Sequence, residues 1–178
     1  MVGGIVAGKI AFVTGAGSGI GRAACQILAS EGAKVIAADQ NGMAAKETLG
    51  LIEVGGKDHI ALSVDVSMAE CVSTAFTEAI AHYSTPPSIV VNSAGITRDN
   101  FLLKMDERMF GIRCNAVVPG FIKSPMTDQV PEKVMKKILP FVALGRMGRP
   151  DEVAEVIAFL ASERSSYVNG ASIDVTGG

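Results

Sequence analysis

Lys9-Ile10-Ala11-Phe12-Val13-Thr14-Gly15-Ala16-Gly17-Ser18-Gly19-Ile20-Gly21 decides how this 178-residue chain folds. Lys9 to Thr14 is a short apolar run of the kind that makes a strand buried in a parallel sheet, and it runs straight into a glycine cluster. A helix is predicted next. Ile20, Ala23, Ala24, Ile27 and Leu28 recur at i, i+3, i+4, i+7 and i+8, and Gly32 stands where a left-handed residue closes a helix. Lys34 to Asp39 then reads as a second strand.

The same alternation continues outward. Met43 to Val54 suits a helix, and Ile60 to Val66 a third strand. Ser67-Met68-Ala69-Glu70 has the spacing of a capping box, opening a helix whose Val72, Ala75, Phe76, Ala79, Ile80 and Tyr83 share one face until Pro86 and Pro87 stop it. Ile89 to Asn92 reads as a fourth strand and Arg113 to Val118 as a fifth. Pro131 can open a short helix in a variable region from Pro125 to Leu144. Pro150 suits the first turn of a helix carrying Val153, Val156, Ile157 and Leu160 inward, and Asn169-Gly170 marks a turn before a strand from Ala171 to Val175. Strands alternating with helices predict an α/β fold, a doubly wound parallel sheet in a single domain spanning 1–178.

Composition narrows the function classes. A 48% hydrophobic content is enough to bury one core. The 16 Lys and Arg are scattered and the net charge is −2, so no basic stripe awaits a nucleic acid. Cys25, Cys71 and Cys114 lack both the even count of a disulfide framework and the short spacing of a zinc site, and read as reduced core residues of an intracellular protein. His59 and His82 fall at a strand edge and a helix end, so no metal site is expected. No apolar run is long enough to span a membrane, and Met1 to Gly8 is too short and uncharged for a targeting peptide.

A strand, a glycine cluster and a helix in succession can hold a pyrophosphate, because loop amides and the positive helix end face it and no Cβ blocks its approach. Flavin proteins, methyltransferases and plain tight turns share such loops. Asp39 sharpens the reading: it closes the second strand 24 positions after Gly15, where a carboxylate accepts hydrogen bonds from adenosine ribose hydroxyls and repels a 2′-phosphate. That favours NAD over NADP. A solvated strand-end aspartate is the alternative.

Thr14-Gly15-Ala16-Gly17-Ser18-Gly19-Ile20-Gly21 resembles the TGxxxGxG loop of the short-chain dehydrogenase/reductases, spaced differently from the GxGxxG of other dinucleotide folds. Asp65-Val66 looks like that family's adenine-contacting pair, and Asn92-Ser93-Ala94-Gly95 is similar to its NNAG motif. Pro119-Gly120 with Phe121 to Thr127 resembles the loop that meets the nicotinamide carboxamide. The resemblance implies a Rossmann-like fold, NAD as cofactor, and cofactor contacts at Thr14, Gly15, Gly17, Ser18, Gly19, Ile20, Gly21, Asp39, Gln40, Asp65, Val66, Asn92, Ala94, Gly95, Pro119, Gly120, Ile122, Ser124 and Thr127. Pro86-Pro87-Ser88, Gly95-Ile96-Thr97, Phe101-Leu102-Leu103 and the run from Gly111 to Thr127 resemble members that act on 3-oxoacyl thioesters or hydroxysteroids. That implies small-molecule or acyl-carrier-bound substrates, a mitochondrial setting, and homo- or hetero-tetramers that include a carbonyl-reductase partner.

The resemblance also exposes a gap. Such enzymes move a hydride between nicotinamide and a carbonyl carbon while a tyrosine hydroxyl handles the proton; a lysine four residues later lowers that tyrosine's pKa and a serine orients the carbonyl. Four residues after Tyr83 stands Pro87, and four after Tyr167 stands Ala171, so no catalytic residue is assigned. Tyr83 reads as core on its helix and Tyr167 as a loop residue. The family's fourth long helix, fifth strand and catalytic helix have no counterpart, which places an apparent internal deletion between 110 and 111. Two readings stay open: an oxidoreductase whose cofactor-binding portion this chain supplies, or a catalytically silent NAD-binding or partner-binding variant. A truly shortened chain has 20 residues, Ser93 to Ile112, to cross between two strands, and is expected to be marginally stable or aggregation-prone.

Overall fold

The computed structural model describes residues 4–52, 58–95 and 112–178. In chain order the elements are β1 (Ile10–Thr14), α1 (Gly19–Ser30), β2 (Lys34–Asp39), α2 (Gly42–Gly50), β3 (Ile60–Ser63), α3 (Ala69–Tyr83), β4 (Ile89–Val91), β5 (Ala116–Pro119), α4 (Glu132–Ile138), α5 (Pro150–Ala161) and β6 (Ser172–Val175). This is the expected alternation, and every strand pairing is parallel.

The period of the strands sorts side chains onto two faces. Ala11 and Val13 of β1 join Ala24, Leu28, Ala154 and Ala158 in one core, so α1 and α5 cover that side. Ile10 and Phe12 join Ile36, Ala75 and Ala79 in a second core under α3, where the Phe12 and Phe76 rings stack with centroids 4.5 Å apart. Alanines at the α1–α5 contact let the two helices approach closely. A sheet covered on both faces is the doubly wound arrangement, but it comes in two pieces: four strands ordered β3-β2-β1-β4, and a separate pair β5-β6. Among the described residues β4 pairs only with β1, and β5 only with β6. Among the described residues no strand joins β4 to β5, so the sheet is divided.

Element ends depart from expectation for local reasons. The third strand stops at Ser63 rather than Val66, because β2 ends at Asp39, the register partner of Ser63, leaving nothing beyond to pair with. The fourth ends at Val91, the last residue paired with β1. The fifth begins at Ala116 rather than Arg113: the Arg113 guanidinium donates to the carbonyls of Leu160 and Val168, and Cys114 N donates to Asn169 Oδ1, so these residues tie down the chain instead of joining a ladder. The second helix ends at Gly50; the expected residues 53 and 54 lie outside the described residues, as does the expected join between 110 and 111. The capping box at Ser67 does not form. Asp65 Oδ1 takes both the amide and the hydroxyl of Ser67 at 2.9 and 2.7 Å, and Met68 takes the cap position before α3 with no side-chain hydrogen bond.

Gly32 does close α1, at φ +100°, and Gly170 turns at +70°. Only Cys25 is a core cysteine, its thiol pushed up to about 12 by burial; Cys71 and Cys114 are half-buried, and all three are free. No helix among the described residues is long and apolar enough to cross a membrane.

Candidate functional site

The glycine loop between β1 and α1 leaves little choice of residue. Gly15 has φ +65°, and a Cβ there would lie 2.7 Å from the Ser93 carbonyl oxygen and 2.8 Å from the Ala94 amide. A Cβ on Gly21 would run into the Gly15 carbonyl, and one on Gly17 would stand 2.9 Å from Asp39 Oδ2. Gly19 is required by its φ of +53° alone, with Ser124 facing it. Ser18 precedes α1 in an extended conformation and neither its own side chain nor a first-turn acid caps the helix. The amides of Gly19, Ile20 and Gly21 have no acceptor within the helix, so this end is open to an anion.

Asp39 sits against that loop. Gly17 N donates to its Oδ2 and Asn41 N to its Oδ1, both at 2.9 Å, fixing the half-buried carboxylate at the end of β2. Asn41 in turn caps α2 through Ala44 N. The exposed Gln40 turns the chain beside it, its carbonyl accepting from Ser63 Oγ at 3.4 Å.

Thr14 joins the loop to β4. Its buried hydroxyl oxygen accepts from the amides of Ser93 and Ala94, both at 3.1 Å, which brings Asn92, Ala94 and Gly95 to the same end of the sheet. Asp65 comes to that edge because Val64 N donates to the Asp39 carbonyl. Its carboxyl is held below the usual carboxylate range by the Ser67 hydroxyl and then by the Ser67 amide. Val66 beside it is exposed.

The segment after β5 is a compact turn. Gly120 packs so closely on Thr176 that a Cβ would lie 2.9 Å from its Cα, and buried Ile122 bridges to Gly148. The Thr127 hydroxyl accepts from Ser124 N and donates to the Ile122 carbonyl, both at 2.8 Å, so it shapes the turn rather than reaching outward. A cleft of about 340 Å³ separates this turn from α1, with Ser18, Gly19, Arg22, Lys123, Ser124 and Asp151 among its walls. Of the residues expected at the site, Gly17 touches Asp39, Thr14 touches Ala94, and Ser18, Gly19 and Ser124 line the cleft. Pro119 and Gly120 lie behind the turn, against the β6 strand and the residues that follow it. A hollow of about 310 Å³ against β3 and α3, lined by Ser63, Glu70, Cys71 and Glu78, holds none of them.

Two residues at this site were not anticipated. Arg22 donates through Nη2 to the Gly17 carbonyl and through Nε to Thr48 Oγ1 at 3.0 Å, and the fully buried Thr48 hydroxyl donates to the Ala16 carbonyl at 2.7 Å. The one sequence signal was a hydroxyl residue in the last turn of α2, where it gains nothing for the helix itself.

Neither tyrosine approaches this opening. The Tyr83 hydroxyl donates to the Asp58 carbonyl, its ring lies under Lys34 at 5.2 Å, and burial followed by the Asp58 charge raises its pKa. Lys34 begins β2 and Asp39 ends it, so Tyr83 packs at the end of β2 away from the loop. Tyr167 is fully exposed.

Comparison with known proteins agrees with this arrangement. Residues 9–110 match the family model described as short chain dehydrogenase, and residues 105–178 the one described as enoyl-(acyl carrier protein) reductase. The chain is 37% identical to the (3R)-3-hydroxyacyl-CoA dehydrogenase of Mus musculus, with 95% of each chain covered. It is 31% identical to the 3-oxoacyl-[acyl-carrier-protein] reductase FabG of Pseudomonas aeruginosa, covering 96% of this chain and 97% of that one. The mouse alignment runs over 246 positions against 178 residues here, so at least 68 positions of it face no residue of this chain. A crystal structure described as that of ribose-5-phosphate isomerase from Brucella melitensis superposes with a TM-score of 0.81 at 26% identity, covering 99% of this chain and 94% of that one. The chain belongs to the short chain dehydrogenase family of oxidoreductases.

Proposed function

We propose that this chain is the cofactor-holding part of an NAD-dependent oxidoreductase that interconverts 3-oxoacyl and 3-hydroxyacyl thioesters. One observation carries the cofactor choice: the Asp39 carboxylate, pinned by Gly17 N and Asn41 N beside the open end of α1. Two ionised oxygens offer about four acceptor positions, and two are used, so two remain for the paired hydroxyls of a ribose. A 2′-phosphate would bring a second negative charge against a carboxylate that cannot swing away. The residues fit a dinucleotide in a second respect, since a Cβ at Gly19 would stand in the gap toward Ser124, where a diphosphate has to approach. Bound there, a nicotinamide supplies or accepts the hydride. Asn92, Ala94 and Gly95 on one side and Ser124 on the other would flank it, with Asp65 and Val66 toward the adenine. The names of the mouse and bacterial relatives support an acyl thioester; hydroxysteroid oxidation is the alternative. The mitochondrial setting and tetrameric assembly implied by the resemblance belong to the same proposal.

Proton transfer is another matter. Tyr83 packs at the far end of β2 and neither tyrosine lines the cleft, so a silent dinucleotide-binding chain is a second reading. The overlap of the two family matches at 105–110 supports placing the join there, with the acid–base residues in the segment that is absent. Titration of NADH fluorescence tests the first part: D39A should weaken NADH binding at least tenfold, by the ~1.4 kcal/mol or more of two lost charge-assisted hydrogen bonds, and narrow the preference over NADPH. Unchanged affinity would end the dinucleotide reading. Single-turnover reduction of an acetoacetyl thioester tests the second. The chain should give none, whereas a form carrying the additional segment should turn over; failure of that form favours the silent reading.

A further inference from the structure

We infer that Arg22 and Thr48 are positioning residues that aim the amides of the glycine loop, Thr48 serving the Asp39 side and Arg22 the diphosphate side. This rests on the dinucleotide reading above. In a planar trans peptide the carbonyl and the following N–H point in opposite directions, so holding one sets the other. Thr48 Oγ1 holds the Ala16 carbonyl at 2.7 Å, and the N–H of that peptide, on Gly17, is the one that meets Asp39. The Arg22 guanidinium holds the Gly17 carbonyl, which turns the N–H of Ser18 the other way, toward the mouth of α1.

The two holds are one unit, because Arg22 Nε donates to Thr48 Oγ1 while that hydroxyl donates onward. Thr48 has no exposure at all, and its hydroxyl lies 3.1 Å from the Ala44 carbonyl one turn back, which would satisfy it without any contact to the loop. The shorter bond goes to the loop instead. Glu47, 3.7 Å from the guanidinium, balances its charge on the side facing α2, so Arg22 acts here as a donor to backbone rather than as a cation offered to ligand.

The test is calorimetric titration of the purified chain with NADH and, separately, with adenosine, which has the ribose but no phosphate. R22M keeps the aliphatic stem and removes the donors; it should weaken NADH about tenfold, the factor a lost hydrogen bond of ordinary strength gives, and leave adenosine within about twofold. T48V keeps the shape and removes the hydroxyl; it should weaken both ligands, and T48S should restore both. An equal fall for NADH and adenosine in R22M, no fall in either variant, or no rescue by serine overturns the brace. Absence of NADH binding by the unaltered chain overturns the brace together with the reading beneath it.

Discussion

The sheet built on β1 and the pair built on β5 differ in what surrounds them. All five residues of β1 are buried, while neither β5 nor β6 contains a buried residue. β1 has a strand on each side, α1 and α5 over one face and α3 over the other. The β5-β6 pair is attached mainly through α5, which packs against both α1 and β5. The cofactor half thus carries its own neighbours, and the other half borrows one helix. Val90 on β4 and Val118 on β5, 50% and 42% exposed, mark the borders where the sheet divides.

The sharpest way to break this comparison is to add one methyl group to each half. In G21A the new Cβ would meet the Gly15 carbonyl, a backbone atom locked by β1 and its partners, so α1 has to move; the cost should exceed about 3 kcal/mol and abolish a cooperative thermal transition. In G148A the Cβ would lie 2.6 Å from Ile122 Cδ1, the far end of a side chain that can rotate, and the melt should shift by less than about 1 kcal/mol equivalent. Equal effects would mean that the two halves fold as one tightly coupled unit.

Deleting methyls gives the next largest contrast. Val13 is fully buried between β2 and β4, and V13A should cost about 2 kcal/mol in denaturant unfolding; V118A, on the exposed strand, should cost less than about 1 kcal/mol. The same borders bear on association. Strand edges with exposed valines template pairing between chains, and V90K combined with V118K should lower light scattering from concentrated chain with little change in the melt. A monomeric, cooperatively melting parent chain would remove the expectation of aggregation altogether.

How much of this was legible in the sequence follows the same division. β1, the glycine loop and Asp39 are contiguous signals: an apolar run, a cluster of one residue type, and an acid at a strand end. Their spacing carried the fold and marked the candidate site. The split sheet was legible only as a missing strand, because strand partners are set by residues far away in sequence. Arg22 and Thr48 stand 26 positions apart and meet only when α1 and α2 pack, so no local pattern announces them. Ser67 misled for a related reason. Its spacing to Glu70 suits a cap, but Asp65 two residues earlier is a charged acceptor within reach and outcompetes the helix for its hydroxyl.

The smallest expected effect lies in the borrowed helix. At the start of α5, Glu152 takes both Arg146 Nη groups, at 2.7 and 2.9 Å, and the Arg149 amide at 2.7 Å. The Arg146 hydrogen bonds first, and then that amide, lower its pKa from 4.5 to about 2. A depressed folded-state value means that the contribution is complete above the unfolded value and fades as pH falls from about 4.5 toward 2. These groups are solvent-exposed, so the loss should be modest and reduced by salt. The first turn of α5 should therefore lose amide protection across that window, measured against the intrinsic exchange rate at each pH, while β1 and β2 keep theirs. E152Q should show the lower protection already at neutral pH and no further loss of it on acidification. If β1 and α5 lose protection together, the borrowed helix is as much a part of the cofactor half as β1 itself, and the two-region description has to be given up.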